Sequence, residues 1–210
     1  FFNAGQDCTA ATRVLVHESV ADTFIKELVK ATKNETKVGD PKDKDTYVGP
    51  VNNVNQFERV LGFISRTPKH AKIEVGGKAL KRDGFYIQPT VISGLKQDDE
   101  HIQNEIFGPV APVMKFSTID EAIAIAEDTE YGLSIGILGE VGEAMKIADR
   151  IHSGKIHINE QTVADEANIP FGGVGASGNG SRFGGAEANI EAFTETQWVT
   201  MRSDIAPYPF

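Results

Sequence analysis

Cysteine is almost absent: Cys8 stands alone among 210 residues. A single thiol excludes an internal disulfide and any metal centre built on several thiolates. That usage fits a reducing compartment and points to the cytoplasm. Long hydrophobic runs are missing too. The longest fall well short of the ~20 apolar residues needed to cross a bilayer, and no charged, apolar and small-residue series opens the chain as a secretory leader would. Positive charge is scarce: 21 lysines and arginines face 30 aspartates and glutamates, a formal net charge of -9. Such a surface disfavours nucleic-acid phosphates and anionic membranes, so neither is expected as a partner. The five histidines, His17, His70, His101, His152 and His157, show no i, i+4 pairing or clustering, and no metal site is expected.

What is present is ordinary for a globular chain, with 40% hydrophobic and 24% charged residues. The length suffices for one substantial domain with its own core, or two small ones. The chain opens on Phe1-Phe2 rather than Met, two aromatics with no preceding cap, which reads as a piece whose N-terminal part is missing.

Hydrophobic periodicity sets out the elements. Arg13 to His17 is β-branched and predicts a buried strand. Ser19 to Lys33 has helical spacing through Val20, Phe24, Leu28 and Ala31, with Ser19 as N-cap. Gly39-Asp40-Pro41 breaks the chain, and Asn53 to Ile64 restores the helical period. Strands follow at Lys72 to Val75 and at Tyr86 to Ile92, the second an edge strand or irregular because of Pro89. Val110 to Phe116 and Leu133 to Leu138 read as apolar strands, and Ile119 to Asp128 and Val141 to Ile151 as helices. Lys155 to Asn159 is a strand, Phe171 to Gly185 a glycine-rich loop, Ala186 to Phe193 a helix and Glu195 to Met201 a last strand. This alternation predicts an α/β fold, a mostly parallel sheet flanked by helices.

Taken alone, Cys8 reads more readily as a small buried hydrophobe than as a nucleophile. Its setting shifts that balance. In FFNAGQDCTAATR the neighbours are small or polar, and Gly5 permits close approach of backbone or ligand. A formal G-x-G-x-x-G runs from Gly173 to Gly178, but no strand leads into it, no helix opens on it, and no strand-borne acid lies about 20 residues on, so it is rejected as a nucleotide loop.

Three segments carry a resemblance. FFNAGQDCTAATR resembles the catalytic-cysteine segment of the aldehyde dehydrogenase superfamily, with Asn3, Gly5, Gln6, Cys8, Ala10 and Arg13 in register. Glu105-Ile106-Phe107-Gly108-Pro109-Val110 is similar to the family's Glu-Ile-Phe-Gly-Pro stretch. Pro170-Phe171-Gly172-Gly173, with Ser177-Gly178 after it, is similar to its C-terminal loop. The resemblance covers nearly the whole chain and matches only the second half of a family member. It implies oxidation of an aldehyde to a carboxylic acid with NAD or NADP, through a thiohemiacetal and a thioester on Cys8. Residues 1–193 would form the catalytic domain and 194–210 an oligomerisation strand and tail, with a homo-oligomer expected. The cofactor-binding domain and the family's general-base glutamate would lie outside this chain, so the chain alone is expected to be inactive.

The resemblance also assigns roles. Glu105 would bind the nicotinamide ribose hydroxyls, and Phe107 would lie against the nicotinamide side. Gln56 either touches the ribose or lies on a solvated helix face. Phe171 either anchors the glycine loop or forms one wall of the substrate tunnel, which Asp7, Thr9 and Val163 would also line. Substrate hints conflict. GQDCTAA looks like dehydrogenases for amino-aldehydes, whereas the run from His157 through Arg182 looks like aromatic-aldehyde dehydrogenases; the balance favours an aromatic or general aldehyde. Two other readings compete: a thiol hydrolase or acyltransferase using Cys8, which needs a nearby base, and a non-catalytic oligomerisation module using the terminal strand.

Overall fold

The computed structural model describes residues 1–207. A β-branched run forms β1 (Val14–His17), which feeds directly into α1 (Glu18–Glu35). His17, not Ser19, caps this helix: its ring nitrogen accepts the Ser19 N–H at 3.2 Å. The helix begins one residue earlier than expected, which leaves Ser19 inside the first turn. Asn53 caps α2 (Val54–Ser65) by accepting the Gln56 N–H at 3.0 Å. The chain continues through β2 (Lys72–Val75), β3 (Thr90–Ser93), a single turn α3 (Glu100–Gln103) and β4 (Val110–Phe116). Next come α4 (Ile119–Glu127), β5 (Tyr131–Gly132), β6 (Ser134–Ile137), α5 (Val141–Ala148) and β7 (Lys155–Ile158). The described elements end with β8 (Val174–Gly175) and α6 (Ala186–Phe193).

The main sheet has the order β1-β4-β3-β2. β1, β4 and β3 are parallel, and β2 joins β3 antiparallel. Two small sheets accompany it, β6 with β7 in parallel and β5 with β8 antiparallel. The architecture is thus α/β with a mostly parallel sheet. Alternation along the strands splits the core. Val91 and Val113 turn toward α1 and pack with Val16 and Ala21. Ile92 and Met114 turn the other way and pack with Val60, Phe63 and Ile64 of α2.

Two expectations are corrected. β3 is an interior strand, not an edge: Pro89 sits one residue before it, so no ladder bond is lost to the proline. Glu195 to Met201 is not a strand. A strand exists through its partner's hydrogen bonds, and no described segment of this chain supplies them. Trp198, Val199 and Met201 stand exposed there. The remainder of the tail, 208–210, lies outside the described residues. No described helix is long and apolar enough to cross a membrane.

Candidate active site

The residues ahead of Cys8 adopt an unusual backbone. Asn3, Ala4 and Gly5 all lie in the left-handed region, with φ of 50°, 55° and 69°. Asn and Gly tolerate that region, while an Ala there costs on the order of 1–2 kcal/mol. The turn is held by the Gln6 N–H donating to Asn3 O at 3.1 Å and by Asn3 Nδ2 donating to Gln6 O at 2.9 Å. Ala4 offsets its strain by burial in the core. Two contacts then dock the segment. Gly5 lies so close to Gly108 that a Cβ would stand 2.0 Å from the Gly108 carbonyl oxygen, and Gln6 Oε1 accepts the Asn52 N–H at 2.8 Å.

Cys8 occupies the corner of the turn that follows, closed by the Ala10 N–H donating to Asp7 O at 3.1 Å. The thiol is exposed, so it is not a core cysteine. Among the described residues the Cys8 N–H has no acceptor. Asp7 Oδ1 accepts both the Thr9 N–H at 2.8 Å and the Thr9 hydroxyl at 2.7 Å. Thr9, expected to line the tunnel, is instead buried, and its hydroxyl is committed to shaping this turn. Arg13 anchors the far side: its guanidinium donates to the Ile125 and Ala126 carbonyls at the end of α4, at 3.0 and 2.8 Å. Burial lowers its affinity for its proton and the nearby Asp128 charge raises it, with burial the larger effect.

The second segment meets the first at Gly108. Within it Phe107 has φ 56°, a strained value for an aromatic residue. Two side chains from α2 clamp that backbone. Gln56 Nε2 donates to the Ile106 and Phe107 carbonyls at 3.0 and 2.5 Å. Arg59 donates to the Ile106 and Glu105 carbonyls at 2.5 and 2.6 Å. Gln56 Nε2 therefore braces the backbone of the second segment. Arg59 escaped the sequence reading, although its i, i+3 spacing from Gln56 puts both on one helix face. The Glu105 carboxylate accepts no hydrogen bond among the described residues and is half-buried. It acts on Tyr131, whose hydroxyl is pushed up by burial and by the carboxylates of Glu130 and Glu105.

The third segment arrives through β7. Phe171 bridges to Phe183 by paired backbone hydrogen bonds of 2.6 and 3.1 Å, and the two rings lie 5.4 Å apart. The Lys155 ammonium sits 4.4 Å from the centre of the Phe171 ring and forms an ion pair with Asp165. Burial pushes the Lys155 amine down, and the charges of Cys8 and Asp7 push it back up by a smaller amount. Lys155 was also absent from the sequence reading, where it is only the polar start of a strand. Val163 is half-buried in the turn after β7, and no described hydrogen bond or ion pair links it to Cys8. The Gly173–Gly178 run is folded on itself, with the Ser177 N–H donating to Val174 O at 3.1 Å, and leads into no helix. Four histidines have partners elsewhere: His17 with Ser19 and Ser117, His70 with Asp99, His101 with the Phe63 carbonyl, and His152 with Glu127. The hydrolase reading gains no base from them.

Residues 1–199 match the aldehyde dehydrogenase family model. The chain is 46% identical over its whole length to a vanillin dehydrogenase of an Amycolatopsis strain, covering 43% of that protein. It is 42% identical over its whole length to the NAD+ benzaldehyde dehydrogenase of Pseudomonas putida, covering 42% of it. Among solved structures, the NAD+ complex of an aldehyde dehydrogenase from Bacillus cereus superposes with a TM-score of 0.83 at 34% identity, over 88% of this chain and 38% of that one. The chain thus spans about two fifths of the length of the relatives it matches.

Proposed function

This chain belongs to the aldehyde dehydrogenase family, and we propose that it supplies the nucleophile for oxidising an aldehyde to a carboxylic acid with a nicotinamide cofactor. The observation that carries this is the placement of Cys8: exposed, at a turn corner docked on Gly108, with a backbone N–H that has no acceptor among the described residues. The thiolate attacks the carbonyl carbon, a C–S bond forms and the π electrons move to oxygen. The free Cys8 N–H is available to stabilise that oxyanion. A nicotinamide held by Glu105 and Phe107 would supply the acceptor for the hydride that leaves the former carbonyl carbon. The carbonyl re-forms as a thioester on Cys8; water then adds, the C–S bond breaks, and the acid leaves as the thiol is restored.

The residues fit the nicotinamide end of such a cofactor. A carboxylate without a protein donor can accept two ribose hydroxyl protons, and Glu105 has that carboxylate on a backbone fixed by Arg59 and Gln56. Phe107, half-buried and held in its strained conformation, offers an aromatic edge next to it. The vanillin and benzaldehyde dehydrogenases among the relatives, together with Phe171 read as a wall of the substrate site, favour an aromatic aldehyde. The segment after Phe193 is assigned to pairing with a second copy in a homo-oligomer.

The test is an assay of the full-length polypeptide carrying this chain, with NAD+ and benzaldehyde. Cys8→Ala should lower kcat by at least roughly 10³-fold, and iodoacetamide should inactivate the unsubstituted protein in step with alkylation of Cys8. Normal turnover by Cys8→Ala overturns the assignment. The chain alone should show no turnover.

A further inference from the structure

Lys155 takes no part in the chemistry set out above, yet it lies beside it. Its side chain is 10% exposed, and a buried ammonium is costly unless its surroundings replace water. Here they do. The face of Phe171 lies 4.4 Å away, the Asp165 carboxylate pairs with it, and the Asp7 charge reaches it as well. An aromatic face with a carboxylate nearby is what a cation-binding corner consists of, and Phe171 is the wall that the proposed function gives the substrate site.

We propose that Lys155 is a specificity-determining residue: its tethered ammonium fills a cation-binding corner formed by Phe171 and Asp165 beside Cys8, and so excludes aldehydes that carry a positive charge. The proposal rests on Cys8 as nucleophile and Phe171 as a wall of the substrate site. A tethered ammonium loses no translational freedom on occupying the corner, so it outcompetes a free one. A cationic substrate would lose the cation–π contact, worth roughly 0.5–2 kcal/mol, and would meet a like charge at short range. A neutral ring carries no charge for Lys155 to repel. This resolves the conflict between the two ends of the sequence. Asp7 beside the nucleophile suggests attraction of amino-aldehydes, but the charge of the chain's own ammonium already acts on that acid.

The experiment uses the full-length polypeptide and a pair of substrates of nearly equal shape, 4-tert-butylbenzaldehyde and 4-(trimethylammonio)benzaldehyde, with benzaldehyde and 4-aminobutanal beside them. The unsubstituted protein should prefer the neutral member of the pair in kcat/KM, although the cationic one is the more electrophilic. Lys155→Gln and Lys155→Ala should raise the cationic-to-neutral ratio by about tenfold or more, with benzaldehyde little affected, and Lys155→Arg should keep the original preference. An equal or reversed preference in the unsubstituted protein overturns the proposal without any variant, as does a ratio unmoved in folded Lys155→Gln. Failure of the unsubstituted protein to oxidise any of the four aldehydes would instead sink the dehydrogenase reading.

Discussion

Gly5 sets where Cys8 sits. Its φ of 69° belongs to the left-handed region, and the Gly108 carbonyl oxygen occupies the place a Cβ would take, at 2.0 Å. The obstructing atoms of Gly108 and Pro109 are backbone, so no side chain can swing aside to make room. Gly5→Ala should therefore cost more than about 1–2 kcal/mol of stability and shift Cys8 from its turn. Chemical denaturation and the rate of Cys8 alkylation by iodoacetamide measure the two effects. Gly139→Ala is the control, since nothing lies within 4 Å of a Cβ built there. If Gly5→Ala behaved like that control on both measures, the close packing of the first two segments would not be what holds the thiol in place. At this scale the sequence was informative: a glycine three residues before a lone cysteine, amid small and polar neighbours, signals close backbone approach. It did not reveal which backbone approaches, because Gly108 lies a hundred residues further on.

Among the elements, α2 has a task its sequence hides. Its apolar stripe of Val60, Phe63 and Ile64 was readable as a core face and is one. Its polar side was readable only as solvated or cofactor-facing, yet Gln56 and Arg59 reach across to carbonyls 46 to 51 residues away. They brace a backbone that Phe107 would otherwise leave, since φ 56° is unfavourable for an aromatic side chain. Gln56→Ala and Arg59→Ala should loosen the Glu105–Phe107 segment and raise the KM for NAD+ in the full-length protein by about tenfold, with a smaller fall in kcat. Arg59→Lys should recover part of the loss, because one ammonium can still reach one carbonyl. A fall confined to kcat, with KM unchanged, would mean the clamp acts on something other than cofactor binding. Elements with strong local signals were legible: β4 at Val110–Phe116 and α6 at Ala186–Phe193 stand where their patterns put them. Those misjudged depended on partners that local pattern cannot show. β3 gained strands on both sides despite Pro89, and Glu195 to Met201 found no partner in the chain. Lys155 belongs with these. Its charge at the head of a strand reads as solvated, and only the fold brings Phe171, Asp165 and Asp7 around it.

For the whole molecule, the unfinished surface is the informative part. Phe193, Trp198, Met201 and Ile205 are 86%, 89%, 89% and 95% exposed, an apolar series on a chain whose other large side chains mostly find cover. Water in contact with that much apolar surface is unfavourable by roughly 25 cal/mol per Å², and backbone groups of residues 194–207 pair with no described strand. A segment with open backbone and large apolar side chains is suited to adding onto a sheet edge. The relatives are more than twice as long as this chain, so the edge can belong to a second copy or to other residues of the same polypeptide. Dilution separates these, because only pairing between copies depends on protein concentration. With a second copy as partner, Trp198→Ser in the full-length protein should shift the species seen by light scattering toward monomer as concentration falls, at little cost to unfolding of the isolated subunit. If the unsubstituted protein is monomeric at all concentrations, the segment closes on its own chain and the homo-oligomer assignment fails.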